Sequence, residues 1–220
     1  MLQSMPENNY LIWQLIDSAL PTGTLSHSGG LESWMQIQGV ENVAEKIRSL
    51  VLQTCAQQLP LLMYVHGNTS DVITVDQQMQ ALMTNQVAQR ASIAQGKALL
   101  SVAQKILPDL DLSSIRQRIK EKQIAGHYVV VYGYICGLLG VSAKQCQETF
   151  IFTLIRDLFS SAVRLGICGP MQAQRLQFVL LQEINTQVQQ VCTNGVQHIH
   201  PIQEIVHGMH DRLYSRLFAS

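Results

Sequence analysis

The sequence predicts an all-α protein, a single-domain compact helical bundle of about eight to ten helices. Apolar residues recur with a helical period along most of the 220 residues, and helix start and stop signals separate these stretches. No stretch alternates apolar and polar residues as a half-buried strand does. One valine-rich run, VVVY, has strand-forming residues but no second strand to pair with. We therefore predict one domain over residues 1–220.

Helical spacing in the first third predicts one helix over Leu11–Leu20 and another over Val43–Thr54. Asn42, with Glu45 three residues later, is a good N-cap pair for the second helix. Pro60 is predicted to start a further turn, because proline is favoured at the first helical position. The helical pattern therefore continues beyond Thr54, with a break at the proline.

The middle of the chain repeats the pattern over Val75–Gln86 and Ile93–Leu107, and Pro108 stops the second stretch. Ser113 or Ser114 can then cap a short charged helix that carries Ile115 and Ile119. These segments predict three more helices.

The run Tyr128–Val141 is apolar on all sides, which is typical of a helix surrounded by protein. It is too short for a bilayer span of roughly 20 residues. Gly133 and Gly137 share one face of this helix. They either let another backbone approach closely or make room for a bulky neighbour.

Two further helices follow from their capping signals. Ser142 and Gln145 form a capping box, and Gly166 ends the helix that they open. Pro170 then opens a helix that reaches about Val191.

The balance of charge excludes several classes of function. Charged residues make up 14% of the chain and hydrophobic residues 47%, and 15 basic residues balance 15 acidic ones. A nucleic-acid-binding protein needs a basic face, and a disordered chain needs high charge and low hydrophobicity. A nearly uncharged, apolar chain also lacks the self-repulsion that keeps proteins apart. We expect an oligomer or a subunit of a complex that is poorly soluble alone.

The five cysteines are scattered and contain no CxxC pair, so they predict neither a disulfide framework nor a zinc site. Reduced, mostly buried thiols in a cytoplasmic protein fit best. The first residues, MLQSMPENNY, lack the pattern of a signal peptide. We therefore expect a cytoplasmic location and no membrane partner. The cysteines are Cys55, Cys136, Cys146, Cys168 and Cys192.

The stretch LPTGTLSHSGGLE, residues 20–32, concentrates glycine and hydroxyl residues in a helical chain. A phosphate loop needs a lysine after its last glycine, and a dinucleotide loop needs a preceding strand; this stretch has neither. It also lacks a Gly-x-Ser-x-Gly elbow, so we predict no catalytic residue and no enzyme. Pro21 and Gly23 instead predict a sharp reversal, and Ser26, His27 and Ser28 can satisfy the N–H groups of the next helix.

Two features near the end of the chain invite a functional interpretation. Imidazoles suit nickel, zinc and copper, so the histidines are either metal ligands or solvated side chains. The last stretch, HDRLYSRLFAS, combines arginine and aromatic residues, the types enriched at interface hot spots. It either docks on a partner or packs as a final helix on its own core. The histidines are His198, His200, His207 and His210.

Four segments taken in order resemble the urease accessory protein F (UreF) family. They are DSALPTGTLSHSGGLE (17–32), RASIAQGKALL (90–100), HYVVVYGYICGLLGV (127–141) with SSAVRLG (160–166), and RLYSRLFAS (212–220). The resemblance covers nearly the whole chain. It departs at Leu25 and Gly29, where the family often has aromatic residues, so the loop here is less bulky.

The resemblance implies an all-helical, typically dimeric scaffold in the cytoplasmic machinery that inserts nickel into apo-urease. Such a scaffold binds a second accessory protein, called D or H, and together they recruit the nickel-carrying GTPase, accessory protein G. Nickel passes through the complex, and no cofactor stays bound.

The resemblance also implies which residues meet partners. In this family the terminal segment becomes ordered in the complex and helps receive the GTPase. A further hypothesis is that Arg216 acts on the GTPase as an arginine finger. The implied partner-binding residues are Pro21, Gly23, Ser26, His27, Ser28, Gly30, Leu31, Glu32, Arg212, Leu213, Tyr214, Ser215, Arg216, Leu217, Phe218 and Ser220.

Overall fold

The computed structural model describes residues 9–192, 195–197 and 200–219, and in these ranges it contains ten α-helices and no strand. The all-α prediction is therefore confirmed. The helices are α1 (Asn9–Leu15), α2 (Leu31–Gln38), α3 (Val43–Gly67), α4 (Val72–Leu82), α5 (Gln86–Ile106), α6 (Ser113–Lys120), α7 (Tyr128–Leu138), α8 (Ala143–Arg164), α9 (Pro170–Cys192) and α10 (Pro201–Gly208).

The chain forms two compact units. The first unit comprises Met1–Gly23, Leu61–Leu82 and Ser92–Phe150. The second unit comprises Thr24–Pro60, Met83–Ala91 and Ile151–Ser220. One domain over residues 1–220 stays a prediction.

The first unit is organised around α7, whose residues from Val129 to Cys136 are all buried. A β-carbon added to Gly137 would lie 2.6 Å from the carbonyl oxygen of His66 on α3. One added to Gly133 would lie 2.9 Å from the carbonyl oxygen of Leu62, on the same helix. Of the two explanations for these glycines, close approach of another backbone is the correct one.

A buried carboxylate holds the start of α7. Asp76 on α4 is fully buried, and its oxygens accept hydrogen bonds from the backbone N–H groups of residues 125–127 at 2.6, 3.1 and 2.9 Å. The ring of His127 adds two contacts, from Nδ1 to Ser92 Oγ at 3.2 Å and from Nε2 to Gln80 Oε1 at 2.8 Å. Burial lowers the pKa of His127, although Asp76 acts in the opposite direction. This polar cluster fixes where the apolar helix begins.

Two residues of the segment RASIAQGKALL pack against the start of α7 in the first unit. Gly96 on α5 lies directly against the carbonyl oxygen of Gly126, and a β-carbon at Gly96 would also lie 2.9 Å from the His127 carbonyl carbon. Ser92, one turn earlier, accepts a hydrogen bond from the Tyr128 N–H at 3.2 Å. The segment therefore packs against the turn that leads into α7.

In the second unit, α3 holds the chain that follows α9. The prediction that Pro60 starts a new turn is wrong, because Pro60 lies inside α3. Proline has no N–H to donate to the carbonyl of Ala56 one turn earlier. That carbonyl instead accepts a hydrogen bond from the Gln197 N–H at 3.1 Å. An outside donor thus satisfies the acceptor that the proline leaves free.

Several predicted helix ends are confirmed and others are corrected. Asn42 Oδ1 caps α3 through the Glu45 N–H at 3.2 Å, and the Ser142–Gln145 capping box opens α8. The first helix ends at Leu15 rather than Leu20, and the pattern over 75–86 belongs to two helices. The start of α6 is capped by Asp111, whose carboxylate accepts the Ser113 N–H at 2.9 Å.

All five cysteines are free, four of them buried and Cys192 half-buried, as predicted. In the part of the chain that the structure describes, no helix has the length and apolar character needed to cross a membrane.

Candidate partner-binding site

The loop Thr24–Glu32 of the second unit is a capped reversal, as predicted. It begins with a short 3-10 helix, Thr24–Ser26, and ends at α2. Ser28 is fully buried, and its Oγ accepts a hydrogen bond from the Glu32 N–H at 3.3 Å. The sequence composition therefore reflects a tight turn whose N–H donors need acceptors.

Gly30 brings this loop close to α10. Its φ of 87° lies in the left-handed region, and a β-carbon there would lie 2.9 Å from Cγ of His207. Any side chain at position 30 would be strained and would collide with the imidazole. The glycine thus lets the loop and α10 pack together.

Glu32 joins the loop to the C-terminal segment, which we define as residues 213–219. The residue is 1% exposed. Its Oε1 accepts the Leu217 N–H at 2.6 Å, and its Oε2 accepts the Phe218 N–H at 3.1 Å. Oε2 also lies 2.9 Å from Nε2 of His210, which is fully buried. One buried carboxylate therefore connects three groups that lie 178 to 186 residues away in sequence.

The C-terminal segment lies along the loop through further contacts. The Phe218 side chain is buried, and the Arg164 guanidinium lies 4.3 Å from the centre of its ring. Arg164 also donates a hydrogen bond to the Leu25 carbonyl. The Ala219 N–H donates to the Ser26 carbonyl at 2.9 Å. Residues from three segments of the resemblance, 17–32, 160–166 and 212–220, thus come together.

Other side chains of the same segment face outward. Tyr214 is fully exposed and Leu217 is 55% exposed. Arg216 lies 3.7 Å from Asp211, which also pairs with Arg90 at 2.6 Å. The hydrogen bond from Arg90 is the main cause that lowers the pKa of Asp211, helped by the Arg90 and Arg216 charges. The segment presents aromatic, aliphatic and cationic groups together.

Three histidines lie close enough to influence each other beneath this surface. Burial, and then His210, lowers the pKa of His27. Burial, with His210 and His27, lowers the pKa of His207 to about 4. Among the described residues, His207 Nε2 and His210 Nδ1 are buried without a hydrogen-bond partner. Burial therefore favours the neutral imidazole at His27 and at His207.

The described members of the predicted metal set, His200, His207 and His210, form no common ligand group. His200 lies beside α3, where its backbone N–H donates to Gln53 Oε1 at 2.6 Å. His198 lies outside the described residues. Within residues 9–192, 195–197 and 200–219, no group of three or more His, Cys, Asp or Glu is arranged to hold a metal ion.

The structure brings most of the predicted partner-binding residues to this one site. Gly23, with the predicted left-handed φ of 74°, belongs to the first unit, as does the exposed Pro21. Ser220 lies outside the described residues. The remaining predicted residues are Ser26, His27, Ser28, Gly30, Leu31, Glu32, Arg212, Leu213, Tyr214, Ser215, Arg216, Leu217 and Phe218, all in the second unit.

Sequence reasoning missed four residues of the site. Arg90 and Arg164 lie in segments that carry the resemblance, which is the signal that could have found them. Asp211 precedes the predicted terminal segment, and its contact with Arg90 is visible only in the fold. Gln36, whose Nε2 donates to the Ser215 carbonyl at 3.0 Å, carries no signal in the sequence.

Comparison with known protein families identifies the family of this chain. The UreF family model matches residues 37–181. The chain belongs to the UreF family. Its relatives include urease accessory protein F of Oryza sativa subsp. indica, 35% identical over 219 residues, or 94% of this chain and 84% of the relative. The protein of the same name from Arabidopsis thaliana is 34% identical over 224 residues, or 94% and 91%.

A bacterial relative extends the family comparison. Urease accessory protein UreF of Paenarthrobacter aurescens strain TC1 is 25% identical over 213 residues, covering 94% of this chain and 96% of the relative. The resemblance that the sequence motifs indicate is therefore confirmed. These relatives are named as accessory proteins and not as catalysts.

Proposed function

We propose that this UreF-family chain is a urease maturation protein, a cytoplasmic scaffold that binds partners and catalyses no reaction itself. It binds the D- or H-type accessory protein, and this complex recruits the GTPase accessory protein G, which carries nickel to apo-urease. Membership of the UreF family and the names of the relatives support the role in urease maturation. The balanced charge of 15 basic and 15 acidic residues supports protein partners rather than nucleic acid.

One observation supports the proposed site: two segments that are each predicted to meet partners lie in direct contact with each other. The loop and the C-terminal segment share the carboxylate of Glu32, and together they form one surface of the second unit. Exposed Tyr214 and Leu217 lie on this surface beside arginine side chains. Aromatic residues and arginine dominate the energetics of many protein interfaces.

Two further aspects belong to the same proposal. The chain works as a homodimer, because its weakly charged and apolar composition favours association. Nickel passes from the GTPase to urease within the assembled complex, and the scaffold holds no cofactor stably. Its contribution is to place the other proteins next to each other.

Co-expression and pull-down test this function. Co-expression with the D-type accessory protein should convert a poorly soluble chain into a soluble complex that captures the GTPase. Deletion of residues 212–220 should abolish recruitment of the GTPase. Recruitment at full strength after this deletion would contradict the site.

A pair of matched variants separates the C-terminal segment from apolar surface in general. Tyr214→Ala with Leu217→Ala removes exposed apolar area from the proposed site. Met171→Ala with Phe178→Ala removes comparable area from α9, where these side chains are 82% and 66% exposed. We expect the first pair to lose partner capture and the second to keep it; equal losses would show that the site is not specific.

The alternative function is direct nickel binding by the C-terminal histidines. One observation favours it, namely the buried ring nitrogens of His207 and His210 that lack partners among the described residues. Equilibrium dialysis of the chain against nickel tests it. Stoichiometric binding that disappears in His207→Ala with His210→Ala would replace the scaffold-only proposal, and binding that survives His198→Ala with His200→Ala would exclude the other histidine pair.

A further inference from the structure

Glu32 has an unusual position for a residue of a binding surface, because it is buried and faces inward. An ionised carboxylate only accepts hydrogen bonds, and Glu32 receives three, from two consecutive backbone N–H groups and one imidazole. A carboxylate that is 1% exposed cannot exchange these bonds for water. The C-terminal segment is therefore tied at Leu217 and Phe218 to a group that no partner can reach.

This attachment determines which side chains of the segment are exposed. The N–H groups of Leu217 and Phe218 point toward Glu32, and the Phe218 ring is buried beneath Arg164. Leu217 keeps 55% of its surface exposed, and Tyr214 is fully exposed. The buried carboxylate thus fixes the backbone conformation that turns these two side chains outward.

Two further contacts hold the end of the segment, the buried Phe218 ring and the Ala219–Ser26 backbone hydrogen bond at 2.9 Å, whereas the contacts before Leu217 are weaker. The Gln36–Ser215 hydrogen bond is exposed, and the Arg216–Asp211 pair is 3.7 Å long with both side chains nearly half exposed. Exposed contacts of this kind contribute little, because water competes for the same groups. Charge-assisted hydrogen bonds to a buried carboxylate are roughly twice as strong as neutral ones. Loss of the Glu32 carboxylate should therefore loosen the part of the segment that carries Tyr214 and Leu217.

The exposed charges beside Tyr214 and Leu217 are mainly positive. Arg212 and Arg216 are exposed, and Arg90 pairs with Asp211. The carboxylate of Glu204, on the neighbouring α10, faces Gln53 on α3 at 3.1 Å instead. Asp211 thus pairs with two arginines, Arg90 and Arg216, and Arg212 adds a further exposed positive charge, in a chain whose overall formal charge is zero. Complementary charge across an interface steers association and suppresses wrong partners.

We propose that Glu32 is a positioning residue that holds the C-terminal segment in its binding conformation. The surface so presented, Arg212, Tyr214, Arg216 and Leu217, fits an acidic protein face with apolar sockets for the tyrosine and the leucine. This inference rests on the proposed function, and it adds the residue that sets the surface and the chemistry of the partner.

Hydrogen exchange tests the positioning role in the full-length chain. In the wild-type chain, the amides of Leu217 and Phe218 should exchange most slowly within residues 213–219. In Glu32→Gln, their exchange should be roughly tenfold faster, since a neutral amide accepts these hydrogen bonds less well. Glu45→Gln, which removes an exposed carboxylate from the same unit, should change neither amide.

Partner capture tests the surface. Glu32→Gln should lower capture of the accessory partners roughly tenfold, the same factor by which amide exchange should rise. This effect is expected although the Glu32 side chain is buried and cannot contact the partner. Arg212→Glu with Arg216→Glu should abolish capture, and the wild-type interaction should weaken as salt rises. Arg175→Glu with Lys144→Glu reverses the same number of exposed charges elsewhere and should leave capture unchanged.

The outcomes distinguish this inference from the proposed function. Full capture after deletion of residues 212–220 would overturn the proposed function. Loss of capture on that deletion, with normal exchange and capture in Glu32→Gln, would overturn only the positioning role. If Glu32→Gln does not fold, the hydrogen-exchange pattern of the wild-type chain tests the positioning role instead. Fast exchange of the Leu217 and Phe218 amides in the wild-type chain would overturn the proposal. Partner capture that persists in Arg212→Glu with Arg216→Glu would overturn the inference that the partner presents an acidic face.

Discussion

The two units each contain one buried carboxylate that accepts consecutive backbone N–H groups, but these carboxylates hold very different structures. Asp76 in the first unit binds the N–H groups of residues 125–127, which lead into the buried helix α7. Glu32 in the second unit binds the N–H groups of Leu217 and Phe218, which belong to a largely exposed segment.

The comparison shows that one kind of interaction can hold a buried helix in one unit and a largely exposed segment in the other. Releasing the turn before α7 would disturb a helix that the first unit packs around. Releasing residues 213–219 would expose Phe218 but leave the rest of the second unit packed. We therefore expect Asp76 to matter mainly for folding and Glu32 mainly for binding.

The largest expected effect is that of Asp76→Ala. This change leaves three N–H groups, two buried and one part-buried, without their acceptor, and each such buried loss costs about 1–3 kcal/mol. We expect the free energy of unfolding to fall by about 4 kcal/mol, measured by urea denaturation. Asp109→Ala, which removes an exposed aspartate from the same unit, should have almost no effect. Equal stability of the two variants would mean that Asp76 does not anchor α7.

A smaller effect should follow from Gly137→Ala in the first unit. The added methyl group would lie 2.6 Å from the His66 carbonyl oxygen, so the backbones of α3 and α7 would have to separate. We expect a loss of about 3 kcal/mol in thermal or urea denaturation. Gly67→Ala is the control, because a β-carbon there meets no atom within 4 Å. A destabilisation no greater than that of the control would show that the helices can adjust freely.

The pH dependence of stability should distinguish the two units through their histidines. In the second unit, His207 has a pKa of about 4, below the ordinary 6.5, because burial disfavours its charged form. The unfolded chain therefore binds a proton that the folded chain does not, and stability falls as the pH drops from 6.5 toward 4. After allowance for the partial exposure of the residue, we expect a loss of about 2 kcal/mol.

Urea denaturation of the wild-type chain and of His207→Gln, on both sides of this pH window, measures the contribution of the histidine. The variant should show a shallower loss of stability with falling pH. His127 in the first unit also has a lowered pKa, but both its ring nitrogens contact polar partners. His127→Gln serves as the comparison, and identical pH profiles for wild type and His207→Gln would contradict the prediction.

The smallest effect should be that of Arg216→Ala. Its side chain is 48% exposed and its contact with Asp211 is long, so stability should not change measurably. Capture of the accessory partners should decrease modestly. GTP turnover by the assembled complex should stay the same if Arg216 only binds, and a large drop would instead support its action as an arginine finger.

The fold could be predicted largely from local signals, whereas the error at Pro60 has a distant cause. Asn42, Ser142 and Pro170 were predicted correctly, because capping depends on residues within one turn. Pro60 was misjudged because the chain supplies the Gln197 N–H from a distant position to the carbonyl that a proline leaves free. No local rule predicts such a donor.

The site was predictable in its segments but not in its connections. The loop and the terminal stretch were both identified from composition and resemblance. The sequence did not reveal that Glu32 binds the backbone at Leu217 and Phe218. A glutamate early in α2 already has a local explanation, because a negative charge is favourable at the positive end of the helix dipole. Gln36 and Asp211 were missed for the same reason, since their partners come from other segments.

The sequence by itself determined most of the helices, several of their caps, and the family. These properties depend on the period of apolar residues and on interactions within a few positions of the chain. Only the tertiary structure decided which carboxylate is buried and which N–H groups it holds, because burial removes water as the competing partner. That is why two acidic residues that look ordinary in the sequence anchor a core helix in one unit and a largely exposed C-terminal segment in the other.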